Sequence, residues 1–596
     1  MGILACTFCR SRKIACDRKQ PSCSRCLFTG KPCEYRARKS AKLAVHSRIK
    51  AFESRLGTLE SQLLQEQILK HSVSARCSPG EETLSRKTET DGSIEGEFSH
   101  FNISETEDAT ENLIPPGVQG PQSLPDTQWQ QKLYHVYFQQ LDPVAPLIHK
   151  TKFLKALEGD PNFSPPVALR YAMWAVAALA STEHQHVAEN FYITARKEAE
   201  QFEMKSTMAQ MAPSLAQCWF LLASFEASRA YFTRAWMSVG RCVRAVQMMN
   251  LHRLDSPHAE VHALKHGSLI DREEGRRVFW GAYCADKWAS TMSGHPLIIK
   301  DEDICTNLPS SENSFELGIE EVGVSFLKLD NIERFCSLSS FAGAISATSI
   351  LGKCLNHLRA YEHGLTAENT GRYWDNHRRI DTSISLIFMN LPTHLRVKKV
   401  EKDVNVVFTH FNLHLSIILL HQLAGKTATK QRMDEAVGHN SFQRCLTSAI
   451  EIKDTMYSVR DLKNFPVNMW TTAPLYIAAG VFIEDLMGHR PSPNSPADLG
   501  LLLIALKEIA ELQKGMTFFA QRLEKDIIKA KVAGCIPSHL RMMAGLKVVD
   551  LKDGRSAPRG LPYCISDEKL YDYRMWTGLC ESSNGGGIAF KEENTK

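Results

Sequence analysis

The sequence has no long apolar run and none of the common catalytic motifs. Its apolar stretches, such as 171–180 and 415–420, are well short of the roughly 20 residues that cross a bilayer, so we expect no membrane-spanning helix. A phosphate-binding loop, a dinucleotide-binding glycine motif and a G-x-S-x-G turn are all missing. No secretory signal is visible after Met1. These absences argue against an enzyme, a membrane protein and a secreted protein.

Paired cysteines are missing from most of the chain. Beyond residue 33 the cysteines are scattered singly, with no C-x-x-C pair among them. Unpaired, scattered cysteines are typical of a reducing compartment, the cytosol or the nucleus. We expect helical, apolar surroundings for several of them, and packing rather than reactivity, at Cys218, Cys242, Cys284, Cys305 and Cys336.

Positive charge is concentrated at one end of the chain. Residues 1–50 contain 13 Lys or Arg and two acids, Asp17 and Glu34, whereas the whole 596-residue chain carries a net charge of only +5. The attraction for a polyanion therefore lies in the N-terminal segment and not over the whole surface, a distribution that is typical of a nucleic-acid binder.

Six cysteines share this basic segment, in the pattern C-x2-C-x6-C-x6-C-x2-C-x6-C. Each of the first three lies 17 residues before its counterpart in the second three, so the pattern is an internal repeat. Tetrahedral zinc prefers four ligands, and two zinc ions would need two bridging thiolates among six. By the symmetry of the repeat, the bridging pair should be equivalent positions. The candidate ligands are Cys6, Cys9, Cys16, Cys23, Cys26 and Cys33.

The spacing resembles the fungal zinc binuclear cluster (Zn(2)-C6 type) transcription factor family. The basic run from Cys9 to Arg18 and the turn residue Pro21 extend the resemblance, whereas Ala15 departs from it, because the family often has a basic residue there. The resemblance implies a DNA-binding module at 1–35 that holds two zinc ions per chain. It also implies that the first and fourth cysteines, Cys6 and Cys23, bridge the two ions.

The same resemblance implies how the module reads DNA. In the family, a short helix after the first C-x2-C enters the major groove, and a lysine at the position of Lys13 reads a CGG-like triplet, where guanine O6 and N7 offer two acceptors together. We expect Arg10, Arg12 and Arg18 to hold phosphates. Two alternatives stay open from the residues alone: a zinc module that binds protein, and a disulfide framework.

A basic linker at 36–44 is followed by a predicted coiled coil at 45–70. Apolar residues there alternate in steps of four and three, which is the spacing of a coiled-coil seam. Arg48 with Glu53 and Arg55 with Glu60 would attract each other across a parallel homodimer. The alternative is an amphipathic helix that packs on its own chain. The predicted dimerisation residues are Ile49, Phe52, Leu56, Leu59 and Leu63.

Two further segments are expected to lack a packed core. Lys and Arg are absent from 88–131, and the predicted linker at 71–127 is rich in acids, so we expect it to be disordered, with an activation segment as the alternative. The last segment, 546–596, loses periodicity and is expected to form a loosely ordered tail. A short activating or docking segment around Tyr571 and Trp576 is the alternative there.

Helical periodicity dominates the predicted domain at 128–545. The predicted helices lie at 167–181, 186–204, 214–251, 274–292, 331–364, 371–390, 401–425, 437–460 and 497–530. The segments 137–153, 234–255, 273–296 and 301–309 resemble the fungal-specific transcription factor domain, which often follows a binuclear cluster. This resemblance covers about 130–425 and implies an all-α domain for regulation, dimer contacts or effector response. His410 and His414 have metal-site spacing, but we expect ordinary helix packing, because Phe411 stands where a metalloprotease needs glutamate.

The sequence thus predicts a small zinc binuclear cluster module plus a short coiled coil, followed by a large all-α regulatory domain. We expect a nuclear, homodimeric regulator of RNA polymerase II transcription that reads paired CGG-like triplets in double-stranded DNA and contacts the transcription machinery or co-regulators. A pathway-specific activator, of the kind that controls a secondary-metabolite gene cluster, is favoured. The alternative is a zinc-containing adaptor or repressor that acts mainly through protein contacts.

Overall fold

The chain divides into two units, Met1–Glu107 and Asp108–Lys596, in a computed structural model. The model describes residues 6–12, 15–17, 19, 21–33 and 126–546, the last range with gaps at 161–163, 182, 206–210, 257–266, 327–337, 363–366, 399–400, 460–461, 463–464 and 467. The predicted coiled coil, both predicted linkers and the C-terminal tail beyond 546 lie outside these residues, apart from the last two positions of the acidic linker.

Among its described residues the first unit contains two short helices, α1 (Thr7–Ser11) and α2 (Ser24–Phe28). They surround a small core of four buried cysteines, Cys6, Cys9, Cys23 and Cys26. Because these described segments offer so little apolar surface, the sulfurs themselves form the interior. A module of this size needs a staple such as a metal to hold its fold.

The second unit is built from helices. Its described helices are α3 (Thr127–Val136), α4 (Lys150–Glu158), α5 (Val167–Ala180), α6 (Ala188–Lys205), α7 (Pro213–Ser228), α8 (Phe232–Met248), α9 (Leu269–Ser293), α10 (Glu312–Leu317), α11 (Ser340–Glu362), α12 (Ala367–Asn390), α13 (Val404–Lys430), α14 (Glu435–Ser458), α15 (Met469–Met487), α16 (Ser495–Leu512), α17 (Thr517–Lys529) and α18 (Ser538–Met543). Among the described residues, the extended pairing amounts to one isolated antiparallel bridge, Asn307 with Ser325. The prediction of a large all-α domain is confirmed.

Two apolar cores lie side by side in this domain. The first takes its residues mainly from α3 to α9 and from α11, and the second mainly from α14 to α18. Helix α13 serves both: Val406 and Leu413 belong to the first core, and Val407 and Phe411 to the second. A helix that is apolar on all sides must be buried on all sides, which explains its central position.

Helix α13 is also long and apolar enough to cross a membrane by length and composition. In its most apolar window, however, 83% of the residues are buried inside the domain. Two of its buried polar side chains are hydrogen-bonded inside the domain: Asn412 donates to the hydroxyl of Thr348, and Ser416 donates to the carbonyl of Asn412. We therefore interpret α13 as the central helix of a folded domain.

The resemblance segment at 273–296 corresponds to α9, which fixes the loop that follows it. The carboxylate of Asp286 accepts hydrogen bonds from the amides of Ile298 and Ile299 at 3.0–3.1 Å. Buried Lys287 donates to the carbonyl of Ile299. The helix ends at Gly294, whose φ of +72° is the left-handed conformation that glycine favours. These residues hold the backbone of the loop after α9 in place, which is the role expected of a packing motif.

The predicted helix at 214–251 is wrong as one element, because the chain breaks between α7 and α8. Ala230 has a φ of +59°, and the next amide, that of Tyr231, donates back to the carbonyl of Glu226 at 2.8 Å. This backward hydrogen bond is the usual helix stop in which a left-handed residue follows the last turn. A glycine usually marks such a helix end in the sequence. Because alanine stands at this position, the end of α7 could not be predicted.

Helix α15 was not predicted. Its sequence is apolar on almost all sides, so it has no helical stripe, and Pro474 lies inside it. The structure compensates at its start, where Asn468 accepts from the amide of Thr471 and Thr471 reaches back to the amide of Asn468. The predicted helix at 497–530 is also divided, into α16 and α17, by a tight turn at Lys514–Met516.

That tight turn approaches the end of α7 without room for a side chain. A Cβ atom on Gly515 would lie 1.4 Å from the backbone oxygen of Ser228. The obstacle is backbone, so neither segment can yield by rotating a side chain. Glycine at this position therefore lets a turn of the second core pack directly against a helix of the first.

We expect Gly515→Ala to lower the free energy of unfolding by about 2 kcal/mol or more, because the two backbone segments must separate. Gly534→Ala is the matched control, since a Cβ there would meet nothing within 4 Å. The measurement is the urea midpoint of the full chain, followed by tryptophan fluorescence. Equal midpoints for the two variants would contradict the close approach.

Candidate metal centre and nucleic-acid interface

The two halves of the cysteine module repeat in space as they do in sequence. Helix α1 and helix α2 start and end 17 residues apart, each directly after the first cysteine of its half. In both halves the amide of the second cysteine donates to the sulfur of the first: Cys9 to Cys6 and Cys26 to Cys23, each at 3.4 Å. These matching contacts indicate that the two halves are repeats of the same metal-binding unit.

The six sulfurs form two groups of four. One group is Cys6, Cys9, Cys16 and Cys23, and the other is Cys6, Cys23, Cys26 and Cys33, with all Sγ atoms of a group within 4.8 Å of one another. Cys6 and Cys23 belong to both groups, and they are equivalent positions of the repeat. Six sulfurs arranged in this way offer eight ligand positions, which is the number that two tetrahedral ions require.

The distances between sulfurs fit a zinc tetrahedron. A zinc–sulfur bond of about 2.3 Å places the corners of a tetrahedron about 3.8 Å apart. The Sγ atoms of Cys6 and Cys23 are 3.8 Å apart, those of Cys9 and Cys23 are 3.7 Å apart, and those of Cys6 and Cys26 are 3.6 Å apart. A disulfide would bring two sulfurs to about 2.0 Å, so these contacts do not describe a disulfide framework.

The electrostatics at two of the cysteines also fit a cation bound beside them. Burial, together with the neighbouring sulfurs of Cys6 and Cys23, raises the pKa of Cys9 to about 12. Burial and the sulfurs of Cys23 and Cys6 likewise raise the pKa of Cys26. Only the thiolate is a metal ligand, and a zinc ion supplies the positive charge that stabilises it. The donor set therefore fits two zinc ions.

Asp17 joins the two halves, a role that the sequence analysis did not assign. Its carboxylate accepts from the amide of Ser24 at 3.1 Å and from the hydroxyl of Ser24 at 2.5 Å. The side-chain hydrogen bond from Ser24 is the main reason why the pKa of Asp17 is lowered. An acid in a basic segment, followed seven residues later by serine at a helix start, is the signal that was available.

The basic side chains are only partly described. Arg12 is exposed, directly after α1, and Arg10 lies within α1. The side chain of Arg10 lies outside the described residues, as do Lys13 and Arg18 entirely. The predicted dimerisation residues lie outside them as well: Ile49, Phe52, Leu56, Leu59 and Leu63.

The repeated backbone carries different side chains in its two halves. Between its last two cysteines the first half has three basic residues, Arg10, Arg12 and Lys13, whereas the second half has one, Lys31. The equivalents of Arg10 and Ser11 are Leu27 and Phe28, which are 75% and 94% exposed. The metal frame is symmetric, but the positive charge is concentrated in the first half.

The residues that were rejected as catalytic or metal sites are structural in the helical domain. His410 contacts the carbonyl of Leu395 through Nε2 at 3.0 Å, and burial lowers the pKa of His414 to about 3. Cys218 and Cys242 are buried in helices, and burial raises the pKa of both thiols. The prediction for Cys305 is wrong: it lies in a loop and is exposed, because the chain leaves the helical core there.

Comparison with known protein families agrees with this geometry. The model of the fungal Zn(2)-Cys(6) binuclear cluster domain matches residues 4–42, and that of the fungal specific transcription factor domain matches residues 134–411. The matched cluster domain binds two zinc ions. The two matches together define a DNA-binding transcription factor and not an enzyme.

Relatives resemble the chain over most of its length. The citrinin biosynthesis transcriptional activator of Monascus purpureus is 26% identical over 520 residues, which are 82% of this chain and 86% of the relative. The pigment biosynthesis transcriptional activator of Monascus ruber is 26% identical over 488 residues, 80% and 86% of the two chains. The sorbicillinoid biosynthetic cluster transcription factor of Penicillium rubens is 24% identical over 587 residues, 88% and 94%.

The chain belongs to the fungal zinc binuclear cluster transcription factor family. The predicted family, zinc cofactor and absence of enzymatic function are confirmed by the matched domains and relatives.

Proposed function

We propose that this protein is a nuclear activator of one biosynthetic pathway, which binds paired CGG-like triplets as a homodimer through its zinc module. The observation that carries the DNA-binding part is the pair of sulfur tetrahedra within a basic segment. The pathway part rests on the relatives, whose names describe activators of citrinin and pigment biosynthesis. Secondary-metabolite biosynthesis is therefore the favoured class of target.

The proposed zinc ligands are the six cysteines, with Cys6 and Cys23 as bridges. Both sulfurs belong to both groups of four, and each accepts one backbone hydrogen bond, from Cys9 and Cys26. A bridging thiolate shares its charge between two cations, and an amide that donates to it helps to fix its position. Cys9 and Cys16 complete one site, and Cys26 and Cys33 complete the other.

Lys13 is proposed to read the triplet, and Arg10, Arg12 and Arg18 are proposed to hold phosphates. Support comes from the unequal charge of the two halves: the first half carries the basic residues, on and directly after α1. A cation carried next to a short helix can reach guanine O6 and N7 in the major groove. Phosphate contacts would set the register without reading sequence.

Two copies are proposed to associate through 45–70. The apolar seam and the opposite charges of its flanking positions favour a parallel pair of helices. A dimer carries two zinc modules, so it can contact both triplets of a pair at once. It would therefore bind paired triplets more tightly than a single triplet, because the second contact becomes intramolecular. The basic linker at 36–44 would set the spacing between the triplets.

A zinc-containing adaptor or repressor is the second candidate, and one observation favours it. Leu27 and Phe28 on α2 expose apolar side chains to solvent. A module that contacts only phosphate does not need exposed apolar surface. In that case the module would contact protein, and DNA affinity would be incidental. Names of relatives that describe activators, together with the charge of the first half, favour the first proposal.

The bridging assignment predicts unequal effects of two cysteine substitutions. Cys23→Ser removes a ligand from both sites, so we expect zinc content to fall from two ions per chain to less than one. Cys16→Ser removes a ligand from only one site, so the ion at the other site should remain bound. This variant should therefore retain more zinc than Cys23→Ser. Zinc per chain is measured by elemental analysis after dialysis. Equal losses in the two variants would argue against Cys23 as a bridge.

Lys13→Ala should abolish the preference for CGG-like triplets. One good contact to a base pair is worth about 1–3 kcal/mol, so affinity for the preferred site should fall about tenfold to a hundredfold. Lys31→Ala, in the second half, is the matched control and should weaken all sequences slightly and equally. Binding of the full, zinc-loaded chain is measured on specific and scrambled duplexes. A variant that keeps its preference would support the adaptor.

Leu56→Pro with Leu59→Pro should break the seam at 45–70. Proline inside a helix costs about 3 kcal/mol, so the dimer should be lost. Affinity for paired triplets should then fall far more than affinity for one triplet. Thr88→Pro, in the predicted acidic linker, is the control and should change neither. Dimerisation is measured by sedimentation. An unchanged affinity for paired triplets would contradict the predicted coiled coil at 45–70.

A further inference from the structure

An apolar cavity lies between four helices of the second unit, α7, α8, α9 and α15. It has a volume of about 140 Å³ and is partly open to solvent. Helix α7 contributes one face, with Phe220, Ala223 and Ala227 at intervals of three and four residues. Helix α8 contributes a similar face that includes Phe232 and Trp236. Small residues between large aromatic ones leave the space that the helices would otherwise fill.

A second cavity, of about 90 Å³, adjoins the first. Both are lined by Phe220, Ser224, Ala227 and Trp470, so the two spaces share this part of their lining. The pair of cavities follows the boundary between the two apolar cores: Phe220 packs against the first core and Trp470 against the second. The gap is thus a property of how the cores meet, and not a defect inside one of them.

The aromatic walls are held in place from behind. Trp470 contacts Trp288, with ring centres 5.3 Å apart, and Phe232 contacts Phe518 at 6.2 Å. At the opening, Trp236 contacts His295 at 4.9 Å. Rings that are fixed by other rings cannot easily rotate into the cavity to close it. A preformed space with rigid walls favours binding, because little order has to be created on binding.

The cavities carry no fixed charge. Every residue that lines either of them is described, and none is an Asp, Glu, Lys or Arg. The titratable side chains are His295 at the opening of the first and Tyr137 in the second. A charged ligand would lose its hydration there without gaining an opposite charge, and the cost of that transfer is large. The lining therefore selects an uncharged ligand.

We propose that these two adjoining cavities together bind an uncharged, flat small molecule of one or two fused rings. An apolar cavity of about 150 Å³ is known to hold a benzene ring, so the first cavity takes one ring and the pair takes two. Stacking and edge contacts with Trp236, Phe232 and Trp470 suit a ring better than a flexible chain. A ligand at this place touches both cores, so it would stabilise their association.

The test uses the full, zinc-loaded chain and two probes of the same size. 2-Naphthol is uncharged at neutral pH, whereas 2-naphthoate carries a carboxylate. We expect 2-naphthol to quench tryptophan fluorescence with saturation and to raise the melting temperature, because a ligand that binds the folded state stabilises it. We expect 2-naphthoate to bind at least about tenfold more weakly, because nothing in the lining compensates its charge.

Three variants locate the binding. Ala289→Leu, on α9, fills the first cavity and should weaken 2-naphthol at least about tenfold, because added carbons occupy the ligand's space. Ala510→Leu is the matched control, a half-buried alanine on α16 outside both cavities, and should leave binding unchanged. Trp236→Ala removes an exposed wall and should weaken binding about threefold to tenfold.

The proposal is supported if 2-naphthol binds wild type and the Ala510→Leu control, and is weakened by Ala289→Leu and Trp236→Ala. It is overturned if wild type does not bind, if both cavity variants bind as wild type does, or if 2-naphthoate binds as tightly. Circular dichroism and melting temperature verify folding of each variant. Should Ala289→Leu fail to fold, Trp236→Ala decides, because its side chain is 40% exposed and its removal disturbs the core least.

Discussion

The DNA-binding module depends on one constraint: six sulfurs must share the charge of two cations. The described part of the first unit has almost no apolar interior, and its buried residues are cysteines 3.6–3.8 Å apart at their closest measured contacts. Without metal, burial and the neighbouring sulfurs raise the thiol pKa of Cys9 and Cys26, so these two residues would be protonated. The two halves would then be joined through contacts such as those of Asp17 with Ser24. When zinc is bound, the same closely spaced sulfurs act as its ligands. Zinc binding and folding of this module are therefore expected to be coupled.

The module combines a symmetric frame with asymmetric side chains. Its two halves repeat the helix, the amide-to-sulfur hydrogen bond and the set of ligands at an interval of 17 residues. Upon this frame, one half carries arginines and a lysine, and the other carries exposed leucine and phenylalanine. The repeat supplies two groups of four sulfurs, whereas the different side chains give each half its own surface. The first suits a polyanion and the second suits an apolar partner.

Much of this arrangement could be predicted from sequence, because thiolate chemistry fixes ligand number and spacing very narrowly. The helical domain was harder. Its fold class follows from periodicity, but α15 is apolar on all sides and leaves no stripe to detect, and alanine replaces the glycine that usually marks the end of a helix such as α7. Asp17 was missed because its role depends on Ser24 lying at a helix start. The cavity pair could not be predicted, because it arises where two apolar cores meet, and helical periodicity does not show how helices are divided between cores.

The central claim is that the zinc module brings this protein to its target genes. A genome-wide binding map of the full-length tagged chain in fungal nuclei tests it, with a variant that lacks both bridging cysteines, Cys6→Ser with Cys23→Ser, as the comparison. We expect peaks with paired CGG-like triplets beside neighbouring biosynthetic genes, and we expect the variant to lose these peaks. Peaks that persist in the variant, or that share no sequence motif, would show recruitment by another protein and contradict the account.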